Sequence, residues 1–242
     1  MTDLQAILDK GGPWQQAQII GGQLLIQGDC LEVMAVLGGS YDSICADPPY
    51  GMEFRSNHRR AKHRSIANDD SVDLLQWSCS LDAPHSKYLW MRWDNLIDIP
   101  MPKSLVTWVK NNHSMGDLEH EHGRQTEVCA FYAGPDHFWP RQRPTDVIAC
   151  ARTGNEHHPT EKPVSLMGRV VEWTAGVVLD CFMGSGTTLV ACQRLGRQGI
   201  GIELDESYFE IAAKRVEEAC RQPDLFVTPP APPKPTQEGF DL

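Results

Sequence analysis

The sequence lacks both features that would carry a chain into or across a membrane. No apolar run approaches the roughly 18–20 residues that a membrane-spanning helix needs. The opening residues, MTDLQAILDKGG, lack the basic start and the apolar stretch of a secretory signal peptide. These absences predict a cytoplasmic protein without a membrane partner.

Cysteines with metal-ligand spacing are also missing. The eight cysteines are scattered, and no CxxC pair occurs among them. This distribution argues against a zinc site and against a disulfide scaffold. The segment HEH at 120–122 lies in an acidic, polar stretch, where solvated side chains are expected rather than metal ligands. We therefore predict no metal site.

Positive charge is scarce, with 22 Lys and Arg residues against 32 Asp and Glu residues and a net charge of −10. Because an acidic chain repels nucleic-acid phosphates, any surface for DNA must be locally concentrated. One ten-residue stretch has five basic side chains, two histidines and no acid, which favours DNA contact; a solvated surface is the alternative. Its basic residues are Arg55, Arg59, Arg60, Lys62 and Arg64.

The length and the hydrophobic pattern indicate one α/β domain. A chain of 242 residues with 41% apolar residues can bury a sizeable core. Short apolar runs predict strands at 23–27, 41–46, 104–110 and 126–134, and helical periodicity occurs at 31–37 and 162–175. Residues 177–220 read as strand, glycine loop, helix, strand, turn and helix, which is a βαβ unit with parallel strands. We predict a doubly wound, Rossmann-like sheet, mostly parallel, with helices on both faces.

The composition changes at Gln222. Prolines at 223, 229, 230, 232, 233 and 235 prevent regular structure in the last residues. We therefore predict a folded domain over residues 1–221 and a disordered tail over 222–242.

The segment around residue 180 has the features of a nucleoside site. A strand ends at Asp180, and the turn CFMGSGTT, which follows, opens a helix. Its small residues let a ligand approach the backbone, but the spacing Gly184-x-Gly186 is neither GxGxxG nor GxxxxGK[ST]. This favours a nucleoside smaller than a dinucleotide. Glu203 ends the next strand, where a carboxylate can accept both hydroxyls of a ribose.

Four segments of the chain have the composition of known sequence motifs. They are DPPYGM (47–52), HPTEKPVSLM (158–167), LDCFMGSGTT (179–188) and GIELDESYFEIAAKRV (201–216). These segments resemble sequence blocks of the DNA amino-methyltransferases, the adenine-N6 and cytosine-N4 family. The block order, with DPPY before the glycine loop, resembles the permuted class of that family. The resemblance implies a methyltransferase fold, S-adenosylmethionine as cofactor and double-stranded DNA as partner.

The resemblance also implies roles for single residues at the cofactor. Glu203 would hold the ribose, and Asp29 would bond the cofactor's adenine amine, with a helix N-cap as the alternative for Asp29. His158, Thr160 and Lys162 would lie near the methionyl end; for His158 and Lys162 a structural or DNA-contact role is the alternative. Asp180, Phe182, Gly184 and Gly186 would line the cofactor.

The segment from Asp47 to Tyr50 suits chemistry on an exocyclic amine. Such an amine is a poor nucleophile, because its lone pair is delocalised into the base. Asp47 can accept one N–H and the Pro48 carbonyl the other, and the stiff Pro48-Pro49 turn preorganises both acceptors. Tyr50 offers a face on which a flipped base can stack. No covalent enzyme intermediate is needed.

The target atom can be narrowed further. Methylation at C5 of cytosine needs a cysteine nucleophile, usually after proline, and the chain has no Pro-Cys pair. In the family that the chain resembles, Asp at the first motif position favours adenine N6 and Ser favours cytosine N4. Asp47 therefore predicts adenine N6. A cytosine-N4 enzyme and a DNA-binding relative without turnover are the alternatives.

Two further interactions are predicted. Residues 85–156 are expected to contain the DNA-recognition insertion, with Arg141 and Arg143 as candidate base or phosphate contacts. Residues Gln222 to Phe226 (QPDLF) resemble the Gln-x-x-Leu-Phe peptides that dock on the bacterial sliding clamp. The alternative is that Leu225 and Phe226 cover the domain's own core. We expect a monomer or a homodimer.

Overall fold

The computed structural model describes residues 2–49, 71–112, 119–120, 122–154 and 161–221, and in these ranges nine strands form one sheet. The strands are β1 (Gln16–Ile20), β2 (Gln23–Gln27), β3 (Ser43–Ala46), β4 (Ser86–Met91), β5 (Ser104–Val109), β6 (Thr126–Ala133), β7 (Val147–Ala149), β8 (Val178–Asp180) and β9 (Gly199–Glu203). The helices are α1 (Leu4–Lys10), α2 (Cys30–Leu37), α3 (Asp73–Ser80), α4 (Val164–Glu172), α5 (Thr187–Arg194) and α6 (Glu206–Arg221), with one 3-10 turn at Trp93–Ile97.

The order of the strands places the predicted motifs together. The sheet runs β1-β2-β9-β8-β3-β4-β6-β5-β7. Of these nine strands, β1 and β6 run antiparallel to their neighbours, so the other seven end at one edge, which we call the carboxyl edge. Crevices at this edge are where open α/β sheets bind ligands. The predicted doubly wound, mostly parallel sheet is confirmed.

Both faces of the sheet are buried. Successive side chains of a strand point to opposite sides, so neighbouring residues of β3 contact different helices. On one face Ile44 of β3 packs in a cluster with residues of α1, α2 and α3. On the other face Cys45 packs with residues of α4 and α5, and Leu25 of β2 packs with α6. Helices therefore cover both faces, as predicted. Within the ranges that the structure describes, no helix is long and apolar enough to cross a membrane.

The segment predicted to contain the DNA-recognition insertion contributes β4, β5, β6 and β7 to the sheet. Strand β4 is buried almost throughout, and it pairs with β3 on one side and with β6 on the other. Any recognition role therefore falls to the connections between these strands. The boundaries of the insertion stay a prediction.

Candidate active site

Asp180 at the end of β8 organises the glycine loop that follows it. One carboxylate oxygen accepts the Phe182 N–H at 3.0 Å, and the other accepts the Thr188 hydroxyl at 2.5 Å. Burial raises the pKa of Asp180 to about 7, although both hydrogen bonds favour the carboxylate. Asp180 thus fixes both ends of the loop, and the Phe182 ring packs edge-on against Trp77 of α3.

The two loop glycines have a backbone conformation that other residues disfavour. Gly184 and Gly186 have φ values of 49° and 80°, in the left-handed region that favours glycine. A side chain on Gly186 would place its Cβ 2.8 Å from the Cβ of Ala212 on α6. The Gly184 N–H donates to Glu203 at 2.9 Å, so the loop backbone lies directly against this carboxylate.

Glu203 and Asp29 lie at neighbouring strand ends on the carboxyl edge, since β2 pairs with β9 and Asp29 follows β2. The second oxygen of Glu203 accepts the Asp205 N–H at 2.8 Å, and burial raises the pKa of Glu203. Each carboxylate oxygen has two acceptor positions, so these backbone bonds leave capacity for ribose hydroxyls. Asp29 is the N-cap of α2 and accepts the Leu31 N–H at 2.8 Å with Oδ1. The cap alternative is confirmed, and the contact of Asp29 with a cofactor stays a prediction.

Arg215 of α6 holds the glycine loop through hydrogen bonds, and the sequence analysis did not identify it. Its guanidinium donates to the Ser185 carbonyl at 2.7 Å and to the Ser185 hydroxyl at 2.8 Å. It also pairs with the buried carboxylate of Glu161 at 2.7 Å. The glycine loop is thereby tied to the segment that precedes α4. The sequence did offer one indication of this role, because Arg215 interrupts the buried side of α6 between Ala212 and Val216.

Asp47 directly follows β3, which lies between β8 and β4, so it stands beside the glycine loop. Its side chain is partly exposed, and its Oδ2 pairs with Lys162 Nζ at 2.6 Å. The structure thus joins Lys162 to the predicted catalytic carboxylate; its predicted contact with the methionyl end stays a prediction. Pro48 and Pro49 follow Asp47 in the described chain.

Lys162 belongs to a row of four alternating charges. Its Nζ also lies 3.3 Å from Glu127 Oε2, and the other oxygen of Glu127 pairs with Lys110 Nζ at 2.5 Å. Burial opposes the ionisation of Glu127, but the two ammonium groups hold its pKa below the ordinary value. Burial likewise acts against the charge of Lys162, yet Asp47 and Glu127 raise the pKa of Lys162. The neighbouring charges thus favour the ionised forms of both Glu127 and Lys162.

Arg141 and Arg143 line a groove of about 750 Å³ between the segment before β7 and helix α4. Arg169 of α4, which sequence reasoning missed, lines the same groove. Glu172 lies 3.6 Å from the Arg141 guanidinium and 3.5 Å from that of Arg169. Three guanidinium groups against one carboxylate give the groove a local positive charge on an acidic chain.

Several predicted site residues lie outside the described residues. They belong to the catalytic motif, the basic run, the methionyl-end segment and the clamp-like peptide, and their roles stay predictions. They are Tyr50, Arg55, Arg59, Arg60, Lys62, Arg64, His158, Thr160 and Gln222 to Phe226.

The profile of the N6/N4 DNA methylase family matches residues 135–214, which include the glycine loop and Glu203. The chain is similar to the putative methylase YubD of Escherichia coli (strain K12), with 34% identity over 213 residues. That alignment covers 79% of this chain and 88% of the relative.

Solved structures give the same fold. The complex of M1.HpyAVI with S-adenosylmethionine (SAM) matches with a TM-score of 0.60 and 24% identity, over 79% of this chain and 98% of that one. The PvuII DNA methyltransferase, which is cytosine-N4-specific, matches with a TM-score of 0.64 and 14% identity, over 86% of this chain and 94% of that one. At these identities the likeness shows the fold.

Proposed function

Because the chain belongs to the N6/N4 DNA methylase family, we propose that it transfers the methyl group of S-adenosylmethionine to the N6 amine of adenine in DNA. The observation that carries this proposal is the placement of Asp47 at the strand end next to the glycine loop. The cofactor and the target base would thus meet at neighbouring strand ends, about 4.8 Å apart in the sheet. Such work on cellular DNA fits an enzyme of the cytoplasm.

The residues of the crevice fit S-adenosylmethionine. Gly184 has no side chain, and its N–H bonds to Glu203, so a ligand can lie close to the loop backbone beside this carboxylate. The carboxylate oxygens there can accept hydrogen bonds from hydroxyl and amino groups. Glu203 would hold the ribose and Asp29 the adenine amine, while Phe182 and the loop backbone would line the nucleoside. When bound, the cofactor supplies an electrophilic methyl group on a sulfonium.

Asp47 and the Pro48 carbonyl would each accept one N–H of the target amine and draw its nitrogen toward tetrahedral geometry. In that geometry the lone pair can attack the methyl carbon in line with the breaking C–S bond. As the N–C bond forms, the nitrogen must lose a proton, and Asp47 is its proposed acceptor. Because both acceptors are fixed before the reaction, little reorganisation is needed at the barrier.

The groove lined by Arg141, Arg143 and Arg169 would bind DNA phosphates. Strand β7 lies four strands from β3, which is about 19 Å across the sheet. Arg141 and Arg143 precede β7, so this end of the groove lies toward the amino end of that strand. Only DNA that extends well beyond the target base would contact these arginines.

Expression in a methylation-free bacterial host tests the proposed function. Single-molecule sequencing of the host DNA should show N6-methyladenine at one fixed sequence, and an Asp47→Ala control should show none. Modification of cytosine N4 instead would overturn the adenine assignment. A well-folded wild-type protein that leaves the DNA unmodified would overturn the proposed activity.

A further inference from the structure

The row of charges described above continues well beyond the residue that faces the target amine. It begins at Asp47 after β3, passes through Lys162 before α4 and Glu127 of β6, and ends at Lys110 after β5. The successive separations are 2.6, 3.3 and 2.5 Å. Three other segments of the chain thus contribute charged side chains to a row that begins at the proposed catalytic carboxylate.

A contribution to folding stability explains this row of charges poorly. The side chains of Lys162 and Lys110 are only 6% and 9% exposed, so their ammonium groups have lost most of their water. Desolvation of buried ion pairs often offsets their mutual attraction, and apolar residues of similar volume then stabilise a fold as well or better. By this argument the row adds little stability beyond what apolar residues would give, and it leads to the proposed reacting group.

Two tryptophans hold the ammonium groups in place. Lys162 Nζ lies 5.6 Å from the centre of the Trp90 ring, and Lys110 Nζ lies 4.8 Å from the centre of the Trp108 ring. The two indoles pack edge to face and are almost fully buried. A lysine is a compact charge on a flexible stem, so it needs partners on several sides to keep one position. Glu127 and the Trp90 ring provide such partners for Lys162.

We propose that Glu127 and Lys110 are positioning residues for methyl transfer, which act on Asp47 through Lys162. Glu127 draws the Lys162 ammonium partly away from Asp47, so that Asp47 keeps its strength as a hydrogen-bond acceptor while its orientation stays fixed. Lys110 in turn keeps Glu127 ionised and in place. This inference rests on the proposed function, because it assigns Asp47 to the target amine.

Kinetics of Glu127→Gln test the proposal, since this variant keeps the shape and removes the charge. With unmethylated genomic DNA as substrate, we expect kcat to fall roughly 10- to 100-fold, as for a small misplacement of a reacting group. The dissociation constant for SAM, from calorimetry, should stay within about threefold of the wild-type value. Glu217→Gln is the matched control, because Glu217 forms an exposed pair with Arg221 on α6. A kcat within about twofold of wild type, or a loss that merely follows weaker SAM binding, would overturn the proposal.

A double variant separates positioning from folding stability. Glu127→Gln alone leaves Lys110 buried without its carboxylate, so its melting temperature should fall. Adding Lys110→Met removes that unpaired charge and should restore the melting temperature, while kcat stays low because Lys162 still lacks Glu127. Recovery of kcat together with the melting temperature would show that the row acts only on stability, and the proposal would be wrong.

A measurement without turnover keeps the inference separate from the proposed function. The side-chain signal of Lys162 can be followed by NMR in protein labelled with 13C-lysine and assigned with Lys162→Met. It should shift in Glu127→Gln and not in Glu217→Gln; an unchanged signal would overturn the proposal. If the signal shifts but the wild-type protein methylates no DNA, the proposed function fails and the coupling of Glu127 to Lys162 stands.

Discussion

The two halves of the sheet stabilise the carboxylates of the site by different means. In the cofactor half (residues 23–37 and 177–221), Asp180 and Glu203 accept backbone N–H groups and one hydroxyl from nearby chain. In the target-base half (residues 43–172), Asp47 and Glu127 pair with lysines from distant segments. Burial raises the pKa of Asp180 to about 7 in spite of its hydrogen bonds, whereas at Glu127 two ammonium groups outweigh burial and hold the pKa below its ordinary value. The first half suits binding of a neutral sugar, and the second holds its carboxylates in place with full charges.

Removing the carboxylate of Asp47 should have the largest effect on methyl transfer. It should change kcat, which depends on the target-base half, and not the binding of SAM. We expect Asp47→Ala to lower kcat by roughly 1,000-fold, the scale for losing a preorganised electrostatic contact at the reacting atoms. SAM affinity should stay near the wild-type value, because the residues proposed to hold the nucleoside of the cofactor are in the other half. Parallel calorimetry and methyl incorporation measure both quantities. Loss of SAM binding in this variant would contradict the division into halves.

Glu203→Ala should produce the complementary result. We expect SAM binding to weaken by about 1.5–3 kcal/mol, the range for losing charge-assisted hydrogen bonds. At saturating SAM, kcat should change much less than in Asp47→Ala, since Glu203 does not face the amine. Calorimetry over a range of cofactor concentrations provides the affinity. Unchanged affinity would remove Glu203 from the site.

The sequence predicted the cofactor half more completely than the target-base half, and the reason is the range of the interactions. Asp180, Gly184 and Glu203 lie within one βαβ unit, so their arrangement follows from local motifs. The pair Lys162–Asp47 joins residues 115 positions apart, and no local pattern reports such a contact.

Strand β4 was missed for a different reason. It is buried on both faces, so SKYLWM shows no alternation of polar and apolar residues. Its Lys87 is a polar residue in a core strand, and its ammonium reaches the carbonyl of Leu81, just after α3, at 2.8 Å. Such a lysine obscures the strand until the tertiary contacts are known.

The arginine groove should have a moderate effect that depends on salt. Replacing Arg141, Arg143 and Arg169 together by Ala should flatten the plot of log K for DNA against log salt by about 0.9 for each phosphate that the variant no longer neutralises. Fluorescence anisotropy on a long duplex that contains the target sequence should show this difference. An unchanged slope would exclude the groove from DNA binding.

The smallest expected effect is that of acid on folding stability. A group in each half should change this stability, in opposite directions. Burial lowers the pKa of His85 below 6.5, so the stability that neutral His85 contributes is lost as pH falls through 6.5 toward the folded value. The pKa of Asp180 is raised from 3.8 to about 7, so its contribution to stability grows as pH falls from about 7 toward 3.8. Melting temperatures at about pH 8 and about pH 5.5 measure the balance. His85→Gln should make the protein less sensitive to acid and Asp180→Asn more sensitive; the reverse signs would contradict these assignments.

The most direct test of methyl transfer to adenine uses purified protein, SAM with a trideuterated methyl group and unmethylated DNA. After digestion to nucleosides, mass spectrometry should find the label in N6-methyl-2′-deoxyadenosine. No labelled nucleoside should form when the Asp47→Ala variant replaces the wild-type protein. Label in N4-methylcytosine, or equal labelling by the Asp47→Ala variant, would contradict the assignment of Asp47 to the amine of adenine.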